Sequence, residues 1–448
     1  MTEAVNSVLD LLQDLIGRAR RAGADAADAV LFEGTSLSHA RRLGKTEKLE
    51  RSEGQDLGLR VFIGRQQAIV SSSDRSPEAL DALVERAIAM ARAVPEDPYC
   101  GIADPAEIAR DWPCLDSFDP AEPSPEMLIE WARAAEDAAL AIKGVSNSEG
   151  AEAGWGRSNI AFAASNGFAG AYSGSSHGVS ASVIAGSGTG MERDYEYASA
   201  IYAADLRDPA EVGKSAGERA IKRLGAKKVA TCRCPVVFDP RVARSFLSHL
   251  LGAVSGPAIA RGTSFLKDRL SERIFPEAIT IIDDPHRQRG LRSKPFDGEG
   301  IANRRRAIID KGVLTTWLLD LRSARQLGLT TTGHAARGTA SPPSPAATNV
   351  WIEPGVLGPE ELIADIDSGF YVTEMMGMGV NGVTGDYSRG VAGFWIDKGE
   401  IAFPVSEMTV AGNLKDMFGR LVAADDLEFK TGADSPTLRI DDLTVAGA

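Results

Sequence analysis

"WIDKGEIAFPV" (residues 395–405) and "IIDKGVLTTWL" (residues 308–318) are near copies of one another. Each sets Asp-Lys-Gly between two runs in which apolar residues alternate with others. Period-two alternation puts one face of a strand on a core, and a short Gly-containing break joins two strands as a hairpin. Two similar turns do not make a repeat protein. They do specify antiparallel sheet for the second half of the chain. Amphipathic helices punctuate the first half, so the fold class is α+β. We expect an N-terminal domain of helices on an antiparallel sheet and a C-terminal domain of mostly antiparallel β with a few helices.

Upstream of the hairpins, "PVVF" (235–238) is a strand, and Asp239-Pro240 caps and opens a helix. Its buried stripe is Val242, Phe246, Leu247, Leu250, Leu251 and Val254. The basic segment near residue 228 marks the boundary, giving domains 1–228 and 229–448. Before it, 208–226 is helical, and 144–205 is a Gly/Ser/Ala-rich β-meander with a turn at Ser165-Asn166-Gly167. Ser124-Pro125-Glu126 and Ser76-Pro77-Glu78 are helix starts, separated by a Pro/Asp-rich surface loop over 95–123. Strand-like runs occupy 26–44 and 47–74, with a turn at Gly64-Arg65. At the N-terminus, Val5, Val8, Leu9, Leu12, Leu15, Ile16 and Ala19 follow helical spacing. Acids come early and basics late there, the reverse of a signal peptide.

The net charge of −13 argues against a primary role on nucleic acid or an anionic membrane, both of which would be repelled. The local basic run "NRRRAIIDKG" (303–312) fits the exposed face of a strand. No apolar run approaches the roughly 18–20 residues of a membrane span. Four cysteines, Cys100, Cys114, Cys232 and Cys234, are too few and too irregular for a disulfide framework, which points to the cytoplasm.

A hydrolytic zinc site wants two ligands on one helix and an acid for the water proton. The five histidines, His39, His177, His249, His286 and His334, are scattered. Only His249 lies on a helix, and "VARSFLSHLLGAVSG" (242–256) contains no Asp or Glu. Cys232-Arg233-Cys234 is too tight for a zinc knuckle. "GSGTG" (186–190) leads into a strand, where a phosphate loop needs a helix. "GSSHG" (174–178) places Ser176 between strands, where a nucleophile elbow needs a strand-to-helix turn.

"VTGDYSRGVAGFW" (383–395) packs an acid, a phenol, a hydroxyl and a cation between glycines. On a strand, Asp386 and Ser388 face one side and Tyr387 and Arg389 the other, so the four cannot converge. No histidine lies nearby in sequence to activate Ser388. Glycines 385, 390 and 393 would let another chain approach closely. A strand for binding an extended peptide fits better than a catalytic centre. The expected contacts are Thr384, Gly385, Asp386, Tyr387, Arg389 and Gly390.

"GVNGVTGDYSRGVAGFWIDKGEIAFPVSEMTVAGNLKDMF" (379–418) closely resembles the PmbA (TldE) branch of the TldD/PmbA family, also called modulators of DNA gyrase. "SPTLRIDDLTVAG" (435–447), "RGTSF" (261–265) and "EGQDLGLRVFIGRQQAIVSSSD" (53–74) extend the resemblance over nearly the whole chain. It implies zinc-dependent proteolysis of peptides and unfolded segments by a TldD subunit paired with a PmbA-type subunit. In the TldD branch, a His-Glu-x-x-x-His motif lies on a helix shortly before Gly-Thr-Ser, and a cysteine ligand precedes the Pro-Thr-Leu strand. Here the helix before Gly262-Thr263-Ser264 carries His249 and no acid, and no cysteine follows Cys234.

The expectation is a non-catalytic subunit that binds no zinc and has no catalytic residues of its own. Zinc would be held by the TldD-type partner, and a homodimer is the alternative assembly without that partner. Strand 383–393 would hold substrate through main-chain hydrogen bonds. The rival reading is a regulatory protein acting on a topoisomerase or toxin system without peptidase activity. A third is a stand-alone hydrolase using Ser176 or Ser388.

Overall fold

The computed structural model describes residues 2–447, with side chains from residue 5 onward. The first half is built on one six-stranded antiparallel sheet. Its elements in chain order are α1 (Thr2–Arg21), β1 (Ala26–Arg42), β2 (Lys45–Ile63), β3 (Gln66–Ser72), α2 (Pro77–Ala93), α3 (Pro125–Leu140), β4 (Val145–Ala164), β5 (Ala169–Ala185), β6 (Glu192–Ala200) and α4 (Pro209–Lys222). The strand order is β3-β2-β1-β4-β5-β6. Ser76 and Ser124 cap α2 and α3 by accepting from the amides of Ala79 and Met127, and Asp208 caps α4.

β4 runs 20 residues, about 65 Å of extended chain, long enough to seat two helix pairs end to end. Odd-numbered positions of β1 and β4 face the helices. Ala27, Ala29, Leu31, Ala161 and Ala163 pack under α1 and α2, while Leu37, Ala151, Ala153 and Trp155 pack under α3 and α4. Small residues at these positions let the helices lie close to the sheet.

Even-numbered positions of the same strands face the second half of the chain. Val30 and Phe162 join Phe168 and Phe296 in one cluster, with Phe296 edge-on to Phe168 at 4.9 Å and to Tyr172 at 5.5 Å. Beside it, the buried Asp28 carboxylate accepts from Arg60 at 2.5 and 2.9 Å and from Arg337 at 2.6 Å. Thr339 bonds Asp56, and a side chain at Gly58 would meet the Thr339 backbone. The first-half sheet and the loop at residues 337–339, distant in sequence, are therefore joined by a buried ion cluster and a backbone contact.

The second half starts with β7 (Cys232–Phe238) and α5 (Pro240–Ala253), whose Asp239 cap accepts from the Arg241 amide. Beyond α5, strands Ser368–Met376, Asp386–Asp397, Glu400–Asn413 and Leu438–Ala446 form one sheet with β7. The last of these pairs with both β7 and Glu400–Asn413, so five strands close on themselves. A smaller five-stranded sheet contains strands Ile281–Asp284, Arg306–Asp310 and Asn349–Ile352. The pairing is mostly antiparallel, with β7 parallel to Ser368–Met376.

Both Asp-Lys-Gly breaks are two-residue hairpin loops. Lys311 and Gly312 have φ of 45° and 82°, and Lys398 and Gly399 have 51° and 81°. Positive φ at both central positions is the turn whose twist matches that of paired strands. Gly188–Gly190 is a single 3-10 turn followed by β6, so the glycine-rich run is a hairpin connection as expected. Among the described residues, no helix is long and apolar enough to cross a membrane.

Candidate functional site

Strand Asp386–Asp397 alternates as expected: Asp386 and Ser388 are exposed, Tyr387 is 2 % exposed, and Arg389 is half-buried. The structure corrects the expectation that another chain lies along its main chain. One edge pairs with Glu400–Asn413 from Asp386↔Asn413 to Asp397↔Glu400. The other pairs with Ser368–Met376 as far as Gly390↔Met376. Below that point residues 379–381 take over. The Ser388 amide donates to Gly379 O at 2.7 Å, and the Asn381 amide donates to Asp386 O at 2.9 Å. Both edges are filled from within the chain, so strand addition finds no free edge here.

The glycines follow the same logic. A Cβ on Gly393 would lie 1.9 Å from Tyr371 O, so this glycine admits the chain's own neighbouring strand. Gly385 has φ +86° with the Asn413 side chain close by. At Gly390 an added Cβ would make ordinary contact with Met376 at 3.6 Å. We expect Gly393→Ala to lose about 1–3 kcal/mol or more in urea unfolding, while Gly390→Ala stays within about 1 kcal/mol of wild type. Equal losses would contradict this assignment of roles.

Of the remaining expected contacts, Thr384 is exposed and donates its hydroxyl to Asp386 at 2.6 Å. Asn413 also donates to Asp386, and these bonds, Thr384 first, hold the Asp386 carboxyl below its ordinary pKa. Tyr387 is withdrawn altogether. Its ring lies parallel to Phe246 at 6.0 Å and edge-on to His249 at 5.9 Å, and its hydroxyl reaches Met375 Sδ at 3.2 Å. Arg389 donates from Nε to Met376 O at 3.2 Å and lines a cleft against α5.

The histidines do not converge. His39 is buried in β1. His177 is buried in β5, with Nδ1 3.1 Å from Ile201 O. His286 bonds Asn303, and His334 sits between Thr332 and Asp283. Ser176 and His177 are adjacent on β5, Ser176 exposed and His177 buried, and so on opposite faces. Among the described residues, no three His, Cys, Asp or Glu side chains gather where they could hold a metal ion.

His249 stands on α5 with Phe246 and Tyr387 beside it. Burial, reinforced by the Arg389 guanidinium, pushes its pKa down to about 4. The helix turns Arg241, Arg244, Ser245 and Ser248 toward the cleft that Arg389 also lines.

Comparison with known proteins places this geometry. Residues 231–447 match the family model of the PmbA/TldA metallopeptidase C-terminal domain, 118–224 the central domain and 27–91 domain 1. The metalloprotease PmbA of Escherichia coli O157:H7 is 38% identical over 449 residues, covering 100% of this chain and 96% of the relative. The chain belongs to the PmbA/TldD metallopeptidase family. The PmbA homolog of Haemophilus influenzae is 36% identical, covering 96% of this chain and 94% of its own. A candidate modulator of DNA gyrase from Bacteroides thetaiotaomicron superposes with TM-score 0.91 at 29% identity, covering 98% of both chains. TldE from Thermococcus kodakarensis shares the fold, with TM-score 0.87 at 20% identity, covering 98% of this chain and 100% of its own.

A metallopeptidase family raises the question of zinc, and the residues here do not fit it. His249 Nε2 is buried without a partner, yet it is a single nitrogen walled by two aromatic rings. Its charged neighbour is a guanidinium, which repels a cation. α5 supplies no carboxylate, and the four cysteines all precede it.

The sequence reading missed the cleft around Arg389. Arg241, Arg244, Ser245 and Ser248 show the i, i+3, i+4, i+7 spacing of one helix face, and that signal was visible. The cleft's other arginines come from segments far apart in the chain, and no local pattern links them.

Proposed function

We propose that this chain is the non-catalytic, PmbA/TldE-type subunit of a heteromeric zinc metallopeptidase that cleaves peptides and unfolded segments in the cytoplasm. Zinc is carried by the TldD-type partner. The observation behind this reading is α5. The helix that bears a His-Glu-x-x-x-His motif in the other branch here has one histidine, held between Phe246 and Tyr387 beside Arg389. Full-length similarity to proteins named metalloproteases supports the peptidase context. Substrate contact falls to side chains, the exposed Thr384 and Asp386 and the half-buried Arg389 of the cleft, and not to the main chain of a sheet whose edges are filled.

The test is zinc content and peptidase activity of the purified chain, alone and mixed with a TldD-type subunit. We expect no zinc and no activity alone, and activity on mixing. Stoichiometric zinc or chelator-sensitive activity in the isolated chain would overturn the proposal. A stable complex without peptidase activity would favour the regulatory reading.

A further inference from the structure

Between β6, α5, strand Ser368–Met376 and the loops around residues 292 and 431 lies a cleft of about 590 Å³. Six arginines line it: Arg193, Arg223, Arg241, Arg244, Arg292 and Arg389. The lining carboxylates are two, Asp194 and Glu374. Carboxylates just outside the lining, Glu149, Glu192 and Asp239, also pair with Arg193, Arg223 and Arg241, so in this chain of net charge −13 the surplus positive charge of the cleft rests on Arg244, Arg292 and Arg389.

The two acids are already engaged. Asp194 accepts from Arg241 at 2.8 Å and lies 3.7 Å from Arg223, and Glu374 is 2.5 Å from Arg223 and 3.9 Å from Arg193. Arg244 bonds only neutral groups, the Tyr197 hydroxyl at 2.9 Å and Arg241 O at 3.1 Å. Arg389 bonds Met376 O, and Arg292 is exposed at the rim. Among the described residues, none of these three has a carboxylate partner. Two hydroxyls of the wall, Ser245 Oγ and Thr373 Oγ1, are buried without any hydrogen-bond partner.

Unpaired guanidiniums held together in a concave wall, with spare hydroxyl donors, match the planar oxygens of carboxylates. The volume lies within the roughly 300–1,000 Å³ of ligand pockets. A long polyanion would run out of the cleft onto an acidic surface, whereas a short acidic segment ends inside it. We propose that this cleft binds an acidic peptide segment, its carboxylates held by Arg244, Arg292 and Arg389. The proposal rests on the peptidase-subunit reading and adds a substrate preference to it. It also gives α5 a positive role, since the helix that lacks metal ligands presents guanidiniums instead.

The test uses the full chain alone, with a fluorescein-labelled hexaglutamate peptide and its hexaglutamine counterpart, read by fluorescence anisotropy at low salt. The glutamate peptide is expected to bind at least ten-fold tighter. Each of Arg244→Ala, Arg292→Ala and Arg389→Ala is expected to weaken it by about ten-fold, the scale of one charge-assisted hydrogen bond. Thermal melts confirm folding, and Arg292→Ala, at the exposed rim, keeps the test decisive if the other two variants unfold. Equal binding of the two peptides, or variants that bind the glutamate peptide like wild type, would overturn the proposal. Inorganic phosphate binding to the same arginines without any peptide preference would overturn it too. None of these results touches zinc content or activity on mixing, so the peptidase-subunit reading stands or falls separately.

Discussion

Asp28→Ala is expected to destabilise the fold by about 3–5 kcal/mol, because it strands two buried guanidiniums on one missing partner. Asp28 is fully buried and accepts from Arg60 on β2 and from Arg337 in the second half of the chain. Arg337 Nε and Nη2 have no hydrogen-bond partner, so this carboxylate is the counter-ion that Arg337 has. Glu299 is a poor substitute, since burial and then the neighbouring Asp297 carboxylate push its pKa up and disfavour its charged form.

Burial alone would raise the Asp28 pKa as well, but Arg337 and then Arg60 outweigh it and hold the value below the ordinary 3.8. A depressed folded-state pKa gives stability that is present above the unfolded pKa and lost as pH falls through the folded one. Wild type should therefore lose this contribution below about pH 4, and Asp28→Ala should lack that part of the acid dependence. Asp28→Asn, which keeps the shape and drops the charge, should also be markedly destabilised. Urea unfolding across pH measures all three. A loss below about 1 kcal/mol in both variants would mean that the ion cluster does not join the two halves.

Tyr387→Ala is expected to cost about 3–5 kcal/mol, the range for removing a large buried ring. Tyr387 heads the largest fully buried side chains, filling the space between α5 and the closed sheet against Phe246 and His249. Tyr387→Phe should stay within about 1 kcal/mol, since only the weak hydroxyl contact to Met375 sulfur is lost. The pair separates packing from recognition. A phenol that touched substrate would make the phenylalanine variant fail in the peptidase assay of the mixed subunits. We expect unchanged turnover from Tyr387→Phe and reduced folded yield from Tyr387→Ala.

Local chemistry made much of the fold legible. Ser76, Ser124, Asp208 and Asp239 cap the helices they precede, because capping depends on residues two or three apart in the chain. The two Asp-Lys-Gly loops are hairpin turns because lysine and glycine adopt positive φ together. Alternation in 383–395 sorted Tyr387 from Asp386 and Ser388 correctly. That alternation did not say that Tyr387 would be sealed under α5.

The error about strand addition has a definite cause. Glycine-rich sequence signals that a backbone comes close, and it is silent on whose backbone it is. At Gly393 it is Tyr371 of the same chain. The second edge of the strand is filled partly by residues 379–381 folding back, a bond pattern that no periodicity reports.

By itself, then, the sequence determined the α+β class, the helix starts, the hairpins and the absence of acid from "VARSFLSHLLGAVSG" (242–256), since each depends on residues within a turn or two of one another. The tertiary structure alone decided which strand edges are filled, which buried charges meet, and that six arginines from both halves of the chain line one cleft. Charge and hydrogen-bond pairing act through space, and arginines up to 196 positions apart (193 to 389) come together only when both sheets are in place.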